Sequence, residues 1–115
     1  MSFERGDVVL VLYPDSNLRT AKRRPALVVQ ANNLDTGLPQ IVLAMVSSNL
    51  DRAGHPSRVL VTVDSPEGRK SGLRTDSVVM ADNLATVIDK QVDGVLGALP
   101  DMNAVDAALR HTLGL

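Results

Sequence analysis

The residues best suited to chemistry in this chain are three cations, Lys22, Arg23 and Arg24, which run directly into Pro25 and the strand-like segment Ala26-Leu27-Val28-Val29-Gln30. Proline has no N–H to give to a ladder, so it suits the first residue of a strand, an edge or a bulge. It also pushes the residue before it towards extended geometry. Arg24 is therefore expected at the mouth of a strand, with its head at the sheet rim. A guanidinium held there presents a planar fork of donors that matches phosphate oxygens. Taken locally, the same run reads first as a solvated loop ending in charge.

A second residue adds to it. If the strand at 25–30 and the next apolar segment, Gln40–Val46, form a hairpin with Gln30 opposite Ile41, Arg24 falls opposite Ser47. Directly opposed residues share a face, with Cβ atoms roughly 5 Å apart. A slip of one residue would put them on opposite faces. In this register a guanidinium and a hydroxyl converge between two polar loops, 13–23 and 48–57, which carry Arg19, Lys22, Arg23, Asn49, Arg52 and His55. That is a candidate phosphate site. Among the other groups, His55 carries an imidazole, a group suited to proton transfer, whereas His111 reads as a cation at a helix end. Tyr13 suits either stacking on a base or a capped place in the core, and Asp15 and Asp76 suit either base contacts or turn caps. Two histidines 56 positions apart make no metal site by themselves.

The elements that must position these residues are short strands. Val8–Leu12 reads as a strand buried on both faces, followed by Pro25–Gln30 and Gln40–Val46. Arg58–Asp64 alternates, with Val59, Val61 and Val63 on one face. Ser65–Gly72 reads as a turn-rich connection; Ser77–Ala81, Leu84–Ile88 and Val95–Leu99 read as further short strands. Only the tail is helical in pattern, with Asp101 as N-cap, apolar residues from Met102 to Leu113 at helical spacing, and Gly114 as the stop. This predicts a small, strongly bent β-barrel with one packed helix, as a single domain over residues 1–115. One helix cannot cover every apolar outer face, so a homodimer is expected.

Composition narrows the function classes. The chain has 115 residues, no cysteine and only 2% aromatics, which excludes disulfides and thiolate metal sites and argues against base-stacking sheets. Its net charge of −1 is not that of a non-specific nucleic-acid binder. The charge is uneven, however: residues 1–58 hold seven cations and five acids, and residues 59–115 hold five cations and eight acids. No signal-peptide layout opens the sequence, and no apolar run approaches the roughly 18 residues of a membrane span. The expectation is a soluble cytoplasmic domain with no membrane partner.

Five blocks, taken together, carry a resemblance. Gly6-Asp7-Val8-Val9-Leu10-Val11, Arg23-Arg24-Pro25-Ala26-Leu27-Val28-Val29, Ser47-Ser48-Asn49-Leu50, Asp76-Ser77-Val78-Val79 and Leu84-Ala85-Thr86-Val87 occur in the order and spacing of the MazF/PemK toxin endoribonucleases. With the final helix, the resemblance spans almost the whole chain. It implies an SH3-like barrel, a homodimer and metal-independent cleavage of single-stranded RNA, with no cofactor. It also implies neutralisation by a cognate antitoxin of the MazE/PemI kind. The family's catalytic Arg falls on Arg24 and its catalytic Thr on Ser47, which keeps the hydroxyl and loses a methyl. Ser48 joins the RNA-binding candidates through its block, and Ala85 stands where many members have Arg. Two other readings of the same fold are a toxin that binds a protein target such as DNA gyrase, as CcdB does, and an inactive relic that only binds antitoxin.

Overall fold

The computed structural model describes residues 2–115. The elements are β1 (Asp7–Pro14), β2 (Ala21–Val28), β3 (Gln40–Ser47), β4 (Arg58–Val61), α1 (Pro66–Ser71), β5 (Ser77–Ile88), a 3-10 turn (Asp89–Gln91), β6 (Val92–Ala98) and α2 (Asn103–Leu113). All strands join one antiparallel sheet in the order β4-β5-β3-β2-β1-β6.

Alternate residues of the central strands feed two separate cores, which is why the sequence is apolar on both faces of those strands. One core joins Val8, Leu27, Ala44, Val46, Val61 and Val79 to Leu99 and Val105, with Met102 and Leu109 of α2 packed against it. The other joins Val9, Val11, Tyr13, Ala26, Val28, Ile41, Leu43 and Val92. Each fully buried Val or Leu stabilises the chain by about 1.5–3 kcal/mol relative to exposure. The two cores cover part of the apolar surface of these strands within the chain. Leu60, Val95 and Leu96 on the strands, and Leu113 and Leu115 at the tail, remain exposed.

The barrel is not closed by a ladder, because the edge strands β4 and β6 do not pair. Instead α1 follows β4 through the Thr62–Ser65 turn and lies on β6. Two glycines permit the contact: a Cβ on Gly72 would sit 2.1 Å from the Leu96 carbonyl oxygen, and one on Gly97 would sit 2.3 Å from that of Lys70. Residues Ser65–Gly72, read from sequence as a connection, are this helix. Ser65 Oγ accepts from the Gly68 N–H at 3.0 Å, Pro66 opens the first turn, and Gly72 closes it at φ 75°.

Further boundaries differ from expectation: β4 ends at Val61 rather than Asp64, and β6 spans Val92–Ala98 rather than Val95–Leu99. Strand β2 starts at Ala21, so Pro25 lies inside it. The segments 77–81 and 84–88 are one strand: Ala44 pairs with Leu84 and the next residue, Met45, with Met80, so Ala81, Asp82 and Asn83 bulge out. The cap position of α2 falls on Met102, while Asp101 Oδ1 accepts from the Asn103 N–H at 2.9 Å. Among the described residues, no helix is long and apolar enough to cross a membrane.

Candidate active-site cleft

The site arises where β2 and β3 part. Their ladder pairs Ala26 with Met45, Leu27 with Ala44 and Val28 with Leu43, the register that sets Arg24 opposite Ser47. It stops after Ala26 for a reason visible in the chain. Val29 N–H donates to Val42 O on β3, while Val28 O accepts from Gly6 N–H on the opposite side. Odd-numbered residues of β2 therefore turn their backbone groups to β3, and Pro25, next in that series, has no N–H to give. From Ala21 to Arg24, β2 pairs only with β1, while β3 continues beside β5 as far as Ser47.

The opening is a cleft of about 530 Å³. Arg23, Arg24 and Pro25 line one wall and Val46, Ser47 and Ser48 another; the segment Gly72–Thr75 after α1 closes it, and Leu10 and Leu96 add apolar surface. Arg24 and Ser47, separated by a whole hairpin in sequence, thus share one cavity.

Arg24 is held from behind. Its Nη2 donates to Asp15 Oδ1 at 3.0 Å, and Asp15 also accepts from Thr20 Oγ1 at 2.6 Å. The Thr20 hydroxyl, then the Arg24 guanidinium, keep the Asp15 carboxyl below its ordinary range. The turn that carries Asp15 is tied by its own N–H to Thr20 O and by Asn17 Oδ1, which accepts from the N–H groups of Arg19 and Thr20. Arg24 Nε is buried with no partner, a state that costs about 1–3 kcal/mol for a desolvated donor. Ser47 Oγ accepts from the Asn49 N–H at 3.1 Å. A hydroxyl carries one donor and two acceptor sites, so this bond leaves its proton free to donate. Arg23 is ion-paired with Asp93 of β6.

Ser47 also lines a second cleft of about 280 Å³, with Met45, Asn49, Asp51, Arg52, Arg58 and Met80. Here Asn49 Oδ1 caps the Asp51 N–H at 3.0 Å. Arg58 makes a two-point pair with Asp82 from the β5 bulge, at 2.8 and 3.1 Å. Burial pulls the Asp82 carboxyl upward, but Arg58 and Ser57 together outweigh it and hold it below the usual range.

Of the remaining candidates, Arg19 and Lys22 are exposed on the β1–β2 hairpin, lie in neither cleft and form no ion pair among the described residues. His55 lines neither cleft. Its Nδ1 lies 2.7 Å from Ser57 Oγ and accepts from the Ser57 N–H, and its ring meets His111 edge-on with centroids 5.9 Å apart. No three His, Asp or Glu side chains among the described residues are grouped to hold a metal. Tyr13 is a core residue, its hydroxyl donating to Asn83 O at 2.7 Å, so it offers no face to a base. Asp76 accepts from the Val63 N–H at 2.9 Å and serves as a turn cap. Sequence reasoning missed Arg74 and Thr75 in the main cleft. The signal was the cap, proline and glycine of α1, which fix the loop that follows.

This chain is similar to known proteins along most of its length. The family profile described as PemK-like, MazF-like toxin of type II toxin-antitoxin system matches residues 4–113. Endoribonuclease MazF2 of Mycobacterium bovis is 31% identical over 107 residues, which cover 90% of each chain. Among solved structures, an endoribonuclease in complex with its cognate antitoxin from a mycobacterial species superimposes with a TM-score of 0.74 at 24% identity, covering 99% of this chain and 97% of that one. MazF from Deinococcus radiodurans gives 0.68 at 23% identity, with 97% and 96% covered. At those identities the two structures speak for the fold.

Proposed function

This chain belongs to the PemK-like, MazF-like toxins of type II toxin-antitoxin systems, and from that premise we propose that it is an endoribonuclease that cuts single-stranded RNA at a short motif without a metal ion. The nucleophile is supplied by the substrate. The ribose 2′-oxygen bonds to the adjacent phosphorus as the bond from phosphorus to the 5′-oxygen breaks. The products are a 2′,3′-cyclic phosphate and a 5′-hydroxyl, and a proton moves from the 2′-OH to the leaving oxygen overall. No water needs activating, so the chemistry calls for charge stabilisation and proton movement rather than a metal-bound hydroxide.

Arg24 stabilises the charge that builds on the phosphoryl oxygens, the kind of term that usually contributes most to such a reaction. A guanidinium does not give up its proton in proteins and is a poor base. Ser47 donates its free hydroxyl proton to the phosphate and orients it. Arg23, Ser48, Asn49 and Arg52 hold the strand on either side, and Arg19 and Lys22 meet it along the hairpin. His55 is a more distant contact, reached by RNA that passes over the β3–β4 loop. The observation that carries this reading is the single cleft shared by Arg24 and Ser47.

The active species is a homodimer, for which exposed Leu60, Val95 and Leu96 supply apolar contact area. A cognate antitoxin occludes the cleft, in keeping with the antitoxin complex solved for the mycobacterial protein of the same fold. The protein acts in the cytoplasm, where mRNA is exposed.

The test is incubation of the purified protein with a long single-stranded RNA in EDTA, with Arg24→Ala and Ser47→Ala alongside, followed by sequencing of the new 5′ ends. Cuts at one short motif, abolished in Arg24→Ala and reduced in Ser47→Ala, are expected. A folded wild-type protein that leaves the RNA intact overturns the reading.

A further inference from the structure

We propose that Arg74 is a positioning residue that binds a backbone phosphate flanking the scissile one. The inference deepens the ribonuclease reading and rests on it. Three arginines line the main cleft, Arg23, Arg24 and Arg74. Arg23 is compensated by Asp93 and Arg24 by Asp15, while Arg74 is exposed and makes no ion pair among the described residues. Arg74 is therefore the cleft arginine whose charge is unspent.

Its backbone is fixed. Gly72 packs on the Leu96 carbonyl, Ser71 Oγ accepts from the Leu73 N–H at 3.1 Å, and Ser77 Oγ donates to Thr75 O at 2.9 Å. The neighbouring carboxylate, Asp76, is occupied by the Val63 N–H. A guanidinium on a rigid loop, in the same cleft as Arg24 and Ser47, suits a second phosphate of the same strand, since a polynucleotide carries one at every residue. Compensated arginines contribute less to capture, because each phosphate they meet competes with a carboxylate.

The probe is a short RNA carrying the mapped cleavage site with a 2′-deoxy sugar at the attacking nucleotide, which removes the nucleophile and keeps every phosphate. Its Kd is measured against salt for wild type, Arg74→Ala, Arg74→Gln and Arg74→Lys, all checked for folding by circular dichroism. Arg74→Ala and Arg74→Gln are expected to weaken binding roughly five- to tenfold and to reduce the salt slope by about 0.7, the value for one single-stranded phosphate contact. Arg74→Lys recovers the slope, and kcat on cleavable RNA at saturation stays within about twofold of wild type. Replacing one flanking phosphate by a neutral methylphosphonate weakens wild type and leaves Arg74→Ala unaffected. Unchanged Kd and slope in the variants, or full additivity at every methylphosphonate position, overturns the inference while wild type still cuts RNA. A wild type that cuts nothing overturns the ribonuclease reading beneath it.

Discussion

Tyr13 offers the most direct check on the architecture around the site, because it is the chain's one tyrosine and there is no tryptophan. It is fully buried, its hydroxyl bonded to the bulge of β5 through Asn83 O. Burial pushes its pKa from 10.0 to about 12, against a small opposing pull from Met45. The folded state thus favours the neutral phenol. The associated stability is complete below the unfolded value near 10 and is lost as pH rises through about 12. Two units at 1.36 kcal/mol each give about 3 kcal/mol. The assay is ultraviolet titration of the phenolate, run beside denaturant unfolding at each pH for wild type and Tyr13→Phe. Expected are a native midpoint near 12, a free-energy loss of about 3 kcal/mol in wild type that the variant lacks, and a fixed cost of about 1 kcal/mol in the variant for the unpaired Asn83 carbonyl. A folded protein whose phenol titrates near 10 would refute the buried placement and with it the tie between β1 and the bulge.

Asp15→Asn should lower kcat on RNA by on the order of tenfold, because Arg24 loses its orienting charge, while RNA binding tightens as the cleft gains net positive charge; steady-state kinetics and Kd measurements separate the two. With the Asp15 carboxyl held low in the folded state, wild type should also lose stability as pH falls below about 4, and Asp15→Asn should show a flatter acid limb in chemical denaturation. Gly72→Ala combines φ 75° with a Cβ 2.1 Å from the Leu96 oxygen, so a loss of about 2 kcal/mol and a fall in Tm of about 10 °C are expected by calorimetry. Gly94→Ala, where nothing lies within 4 Å, should stay within about 0.5 kcal/mol of wild type.

The hairpin register was legible because both strands declare their two-faced burial and Pro25 fixes where pairing ends; Gln30 opposite Ile41 is enough to bring Arg24 to Ser47. The third strand was equally plain, Gln40–Val46 against the observed Gln40–Ser47. What escaped was longer in range. Asp82 and Asn83 look like a break between strands, since two polar residues interrupt an apolar pattern. In the fold each has a remote partner, Arg58 and Tyr13, that makes a bulge preferable to a turn. Helix α1 is six residues long, too short for a hydrophobic period, so only its caps announced it. In sequence His55 belongs with the cleft, because its loop begins there. The turns that follow, with the His55 N–H bonded to Arg52 O and the Arg58 N–H to His55 O, carry it round to α2 instead.

The distribution of carboxylates among the arginines explains how a chain of net charge −1 can serve a polyanion. Long-range attraction is weak at that charge, so the protein gains little from steering. The acids are instead spent where precision is needed: Asp15 fixes Arg24, Asp93 fixes Arg23 and Asp82 fixes Arg58. On the proposed reading the Asp15 pair sacrifices affinity for an Arg24 guanidinium that is already in place, which is the requirement for stabilising a transition state. Among the described cations without an ion pair are Arg19, Lys22, Arg52 and Arg74, to which the proposed reading assigns capture. On this division, added salt should weaken RNA binding steeply and leave the rate at saturation nearly constant. The charges that act in the chemical step already have their counterions built into the fold, whereas those that act in binding exchange theirs with the solvent.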